Sequence, residues 1–301
     1  MTRPARLIST TEGRSDEAFA PVDWLLLVGI SLTWGSSFLF ISMGLDAFDP
    51  GVITLARVAF GAATLALLPR SRVPIDREDM PRVALLSATW IGIPLTLFPI
   101  AQQWIASSVA GMLNAFMPAL TAVVASVLLR RPPGPRQRMG ITAGFAGVAC
   151  ISLPTIGEGD TAWLGVLLVL AATACYAVSA NIVTPLQHKY GSLPVLARVQ
   201  ALAALLVLPY GIYGLPRSNF EWPSMLAVAA LGVIGTGLAY SAFGTLIGNV
   251  GATRASVVTY LIPVVAVVLG VLVRDESIAA LAIVGCCLVL TGAWLSSRQG
   301  H

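Results

Sequence analysis

The long apolar runs of this chain contain no aspartate and no glutamate, and the histidines fall outside them, at His188 and His301. Proton-driven carriers usually place an acid or a histidine within the membrane as a relay. Intramembrane enzymes need an acid–base pair or a metal set. The sequence offers neither, which disfavours obligate proton coupling and argues against an enzyme, a cofactor or a bound metal. Serines such as Ser36, Ser37 and Ser179 have no histidine or lysine partner to activate them. Charge is scarce throughout, at 11% of residues, against about 25% in a soluble domain. That excludes a large soluble domain. Cys150, Cys175, Cys286 and Cys287 all lie in apolar runs without metal spacing, so they read as small packing residues.

What remains is apolar: 56% hydrophobic residues and a mean hydropathy of +0.83. A spanning helix needs roughly 20 apolar residues. Predicted spans are Trp24–Leu45, Gly51–Pro69, two within Val83–Leu129, Met139–Ile156, Trp163–Thr184, Leu193–Leu215, two within Trp222–Val273, and Ile278–Ser296. The paired runs break at polar clusters near Gln102–Ser108 and Asn249–Arg254. The chain is therefore predicted to be an all-α polytopic membrane protein of ten transmembrane helices. The net charge of +4 does not point to nucleic acid, because the arginines sit in short loops where topology explains them. With the N-terminus inside, inner segments hold most of them, among them Arg70, Arg72, Arg77, Arg82, Arg130, Arg131, Arg136 and Arg138. Outer loops hold only Arg217 and Arg274, beside acids such as Asp46, Asp49 and Glu276. Both termini are then cytoplasmic. The first 22 residues read as a disordered tail, not a cleaved signal.

A repeat underlies the helix count. An offset of 145 residues carries Pro118 to Pro263, Gly140 to Gly285 and Gly147 to Gly292. LARVAF at 55–60 resembles LARVQA at 196–201, pairing Arg57 with Arg198. Five helices per half is odd, so the two halves, 23–156 and 157–297, must lie in opposite orientations, with residues 298–301 as a short tail. Proline in a helix clashes with the carbonyl four residues back, here Asn114 and Thr259. Two freed carbonyls at matched positions point to a central cavity, because such groups face protein or water, not lipid. A pair of purely structural kinks is the alternative.

Arg57 and Arg198 are the charges well inside spans. Either could draw a substrate carboxylate, or could snorkel to the interface or cap a neighbouring helix. Trp34, Trp90, Tyr176, Tyr240 and Tyr260 lie deep in their spans. Around a cavity they would make an apolar pocket with hydrogen-bonding tips, suited to a small amphipathic solute. Any single one of these aromatic residues reads first as core and only then as a ligand contact; Asn114, Asn181, Ser241 and Thr259 could add polar contacts. The glycine stripe at 140, 144 and 147 marks close helix packing.

Trp34-Gly35 within LTWGSSF, the LARVAF segment, the proline-centred fourth and ninth helices and the glycine-spaced fifth and tenth together carry a resemblance. From Trp24 to Ser297 the chain resembles the drug/metabolite transporter superfamily, in its EamA branch. The resemblance implies cytoplasmic termini in a bacterial inner membrane and a central pathway lined by both halves. The fifth and tenth helices would serve as scaffold or as a homodimer contact. It further implies export of amino acids or related metabolites, aromatic ones among them. In that family the fourth helix often ends in Gly-Glu. Asp275-Glu276 approximates this in the second half, whereas the first half has Arg130-Arg131 and then PPGP. The expected activity is alternating-access export by a facilitator or exchanger. A channel-like pore or a non-transporting membrane scaffold are the competing readings.

Overall fold

The computed structural model describes residues 20–130, 132–157, 159–250 and 255–297. Most of the N-terminal tail, the C-terminal tail 298–301, and Arg131 and Arg254 lie outside the described residues. Among those described, the chain is all-helical. The long helices are α1 (Pro21–Leu45), α2 (Pro50–Ala66), α3 (Arg77–Ala101), α4 (Ser107–Leu128) and α5 (Pro135–Ile156). They continue as α6 (Ala162–Tyr190), α7 (Ser192–Gly214), α8 (Trp222–Ile247), α9 (Val258–Arg274) and α10 (Ala280–Ser297). The segments containing α1, α3, α4, α6, α7 and α8 are long and apolar enough to cross a membrane, and α2, α9 and α10 are shorter apolar helices. Leu25, Leu67, Leu205, Val127 and Leu272 stand exposed on the outside. A surface of this kind suits lipid and would be untenable in water.

Helix starts follow local chemistry. Proline opens α1, α2 and α5, where its missing N–H is no loss. Asp49 caps α2 by accepting from the Gly51 N–H at 2.9 Å. The first helix begins three residues earlier than the predicted span, and this corrects one reading of the sequence. Asp23 lies inside α1 and is buried. It is stable there because an acid in the first turn favours the helix dipole, and because Asn249 Nδ2 donates to it at 2.8 Å.

Two interruptions were not among the sequence expectations. α3 contains a π-helical stretch, Ser87–Gly92, and α8 contains another, Leu231–Leu238. α4 breaks between Asn114 and Met117, where Ala115 and Phe116 N–H groups reach back only three residues, at 3.2 and 3.1 Å. Pro118 therefore opens a second helical segment and does not kink a continuous helix, whereas Pro263 does lie inside α9.

The helices pack as α1 with α8 and α9, α6 with α3 and α4, α2 with α7 and α8, and α5 with α10. The α5–α10 seam is the tightest in character. A Cβ on Gly140 would stand 2.5 Å from the Gly292 carbonyl oxygen, and the reverse holds at the same distance. Gly147 and Gly285 repeat the arrangement at 2.6 Å in both directions. The two helices thus run antiparallel with backbones touching. The glycine faces expected as scaffold or as a homodimer contact are buried against one another within the chain.

Candidate functional site

A cavity of about 360 Å³ lies between α1, α2, α3, α4, α6, α7, α8 and α9. Trp34, Arg57, Trp90, Asn114, Tyr176, Tyr240 and Thr259 all line it. Arg198 and Tyr260, also expected there, do not; both are half-buried elsewhere. Asn181 donates to the Ala177 carbonyl at 2.9 Å and Ser241 to the Gly237 carbonyl at 3.0 Å. These bonds tie both side chains to their own helices, and Asn181 Nδ2 also reaches the Thr121 carbonyl on α4 at 3.4 Å.

Arg57 is 6% exposed. Its Nε donates to Thr236 Oγ1 at 3.1 Å, and that hydroxyl donates to the Leu231 carbonyl at 2.9 Å. The π turn of α8 thus fixes the hydroxyl so that a lone pair faces the guanidinium. Among the described residues no carboxylate forms an ion pair with Arg57. A buried cation without a counter-ion is costly, and the open side of this one is the cavity.

Aromatic rings form the walls. Trp34 lies 5.2 Å from Tyr240 and 5.0 Å from Phe243, centre to centre, and Tyr240 meets Trp90 edge-on at 5.6 Å. Across the space, Phe98 stacks on Tyr176 at 6.0 Å and meets Phe38 edge-on at 5.5 Å. The Trp34 indole donates to the Gly235 carbonyl in the same π turn, at 3.0 Å. Asn114 Oδ1 is buried without a hydrogen-bond partner. It follows directly from the break in α4, which turns Asn114 towards the cavity it lines. An unused acceptor of this kind calls for a donor.

Sequence reasoning missed Thr236, Phe38, Phe98, Phe243 and Gln187. The three glycines in LGVIGTGL were the available signal for an unusual turn near Thr236. The phenylalanines carried none, since apolar residues in an apolar span look alike.

Comparison with known proteins adds the family. The EamA-like transporter family matches residues 24–153 and again 163–298. A protein named "Probable terminal-alkyne amino-acid exporter" from Streptantibioticus cattleyicolor is 25% identical over 92% of this chain and 93% of its own. A "Probable amino-acid metabolite efflux pump" from Escherichia coli strain K12 is 22% identical over 91% of this chain and 94% of its own. One solved crystal structure aligns with a TM-score of 0.62 at 19% identity, covering 91% of this chain and 96% of that one, which speaks to the fold alone. With a family match across most of its length, twice over, this chain belongs to the EamA-like transporter family and is a multi-pass membrane transporter.

Proposed function

We propose that this transporter exports small amphipathic amino acids or related metabolites, apolar or aromatic in side chain, across a bacterial inner membrane. The observation that carries this reading is the Arg57 guanidinium, buried without a carboxylate partner and facing an aromatic cavity. A solute carboxylate supplies the missing counter-ion. An ammonium or amide donor suits Asn114 Oδ1, and the rings of Trp34, Trp90, Tyr240 and Phe98 receive the apolar part. Two relatives bearing exporter names, one for an alkyne amino acid, agree with that chemistry.

The mechanism is alternating access between two inverted five-helix halves, 23–156 and 157–297, with both termini cytoplasmic. Several features support it. The family matches the chain twice. The contacts of α1 with α8 and α9 mirror those of α6 with α3 and α4. Gly140 meets the repeat-mate of Gly147, and Gly147 meets the repeat-mate of Gly140, as a two-fold relation requires. Arg130 and Asp275, 145 positions apart, both adopt left-handed φ, at 52° and 51°.

Proteoliposomes loaded with unlabelled amino acid test the activity. The expected result is saturable counterflow of a labelled apolar or aromatic amino acid. Flux that rises linearly without saturation would make the chain a pore instead. Obligatory dependence on a pH gradient would overturn the facilitator or exchanger mechanism.

Two variants probe the site within the same assay. Thr236→Val keeps the side-chain shape but removes the acceptor for Arg57 Nε. The guanidinium then loses its anchor on α8 and no longer presents a fixed fork to the solute, so carboxylate solutes are expected to weaken about tenfold. Asn114→Ala removes the unused acceptor. It is expected to weaken amino acids about tenfold, while their deaminated carboxylate analogues are unaffected.

A further inference from the structure

The cavity is lined at one end by Gln187, Ser192 and Ile247, beside the turn between α6 and α7, and at the other by Phe38, Ile41 and Phe98. Beyond Phe98, α3 ends and α4 begins, and the loop after α9 closes over that point. Glu276 Oε1 accepts from the Ser107 N–H at 2.9 Å and from Ser107 Oγ at 2.7 Å, and Oε2 accepts from the Ser108 N–H at 2.9 Å. Two residues earlier, Arg274 Nη2 donates to Asp46 Oδ2 at 2.7 Å, just past the end of α1. The left-handed turn at Asp275 lets one short segment hold both α1 and α4. Gly270 makes room, since a Cβ there would run into Glu276 Oε2.

Beside this clasp, polar atoms lack partners. Ser108 Oγ, both amide atoms of Gln102, and Arg274 Nε are buried without hydrogen bonds. Polar atoms of this kind mark the closed end as a place where water is readily taken up when the helices part. The repeat offset puts Arg131 in sequence opposite Glu276, so an acidic clasp is a property of one half only.

We infer that Glu276 is the latch of this end of the cavity: its carboxylate on the first turn of α4 keeps the path beyond Phe38 and Phe98 shut, and its release lets that path open. The latch takes its purpose from the transport reading above, but its operation can be tested without any solute. Burial pushes the Glu276 carboxyl up, and the hydrogen bonds from Ser107 and Ser108 outweigh that and hold it below the usual carboxylate range. The latch is therefore charged at neutral pH, and movement of the loop releases it, not titration.

Hydrogen exchange by mass spectrometry, on the full chain in nanodiscs, is the test. In Glu276→Gln and Glu276→Ala, amides of residues 105–110 are expected to exchange about tenfold faster or more. Peptides over the α5–α10 seam, 140–150 and 283–293, are expected to stay unchanged. Unaltered exchange at 105–110 in both variants would overturn the latch. So would a rise shared by the seam, which would mark general destabilisation. Because the measurement needs no substrate, absence of transport in the wild type would sink the functional reading and leave this result standing on its own.

Discussion

Arg57→Ala is expected to abolish measurable counterflow of carboxylate solutes while the protein still folds and inserts. Two parallel charge-assisted hydrogen bonds from a guanidinium to a carboxylate are worth about 3–5 kcal/mol in a dry site, or roughly two to three orders of magnitude in affinity. Little inside the protein depends on this side chain. Among the described residues it makes one hydrogen bond, to Thr236, and that hydroxyl keeps its own bond to Leu231 when Arg57 is gone. Removing a buried cation that has no counter-ion also removes a desolvation cost. Arg57→Lys keeps the charge but not the planar fork, and is expected to recover only part of the activity. Counterflow alongside thermal unfolding in detergent separates the outcomes. A chain that fails to accumulate, or melts far lower, would make Arg57 a structural residue.

Gly147→Leu is expected to prevent folding altogether. The new side chain would begin 2.6 Å from the Gly285 carbonyl oxygen and 2.7 Å from the Val289 amide nitrogen. Both are backbone atoms, which cannot rotate aside. Extra methylenes in a well-packed core that can still shift cost about 1–3 kcal/mol, and a clash with backbone along a helix seam exceeds that. Gly29→Ala is the matched control, because nothing stands within 4 Å of its Cβ. In a helix interior that exchange is expected to stabilise by about 0.5–1 kcal/mol. Yield of monodisperse protein after purification reads both variants. Normal yield of Gly147→Leu would mean that α5 and α10 do not meet as described.

The sequence was most informative where a rare residue type had to be placed. Arginine in an apolar run, proline four residues after a polar side chain and glycine at helical spacing each carry a cost that only certain surroundings remove. Arg57 and Asn114 at the cavity and close packing along the glycine stripe of α5 were readable for that reason, whereas the meeting of Gly147 with Gly285 was not. Arg198 was not, because the sequence likeness between LARVAF and LARVQA does not say which way either helix faces. Tyr260 failed similarly: its neighbour Thr259 faces the cavity, and one step along a helix turns the side chain by about 100°. The start of α1 was placed late because Asp23 looked like a boundary, and the bond to Asn249 that steadies it spans 226 residues. The π turn in α3, Ser87–Gly92, carried no comparable mark in the sequence, whereas the three glycines of LGVIGTGL marked the one in α8.

The π turn in α8 has one more consequence. The partner that seats the Trp34 indole is the main-chain oxygen of residue 235, and every amino acid carries that oxygen. Point substitutions along α8 therefore leave this anchor's chemistry in place, whereas losing or gaining a single residue would re-index the turn and unseat the ring. Trp34 is held by a count of residues, not by their identity.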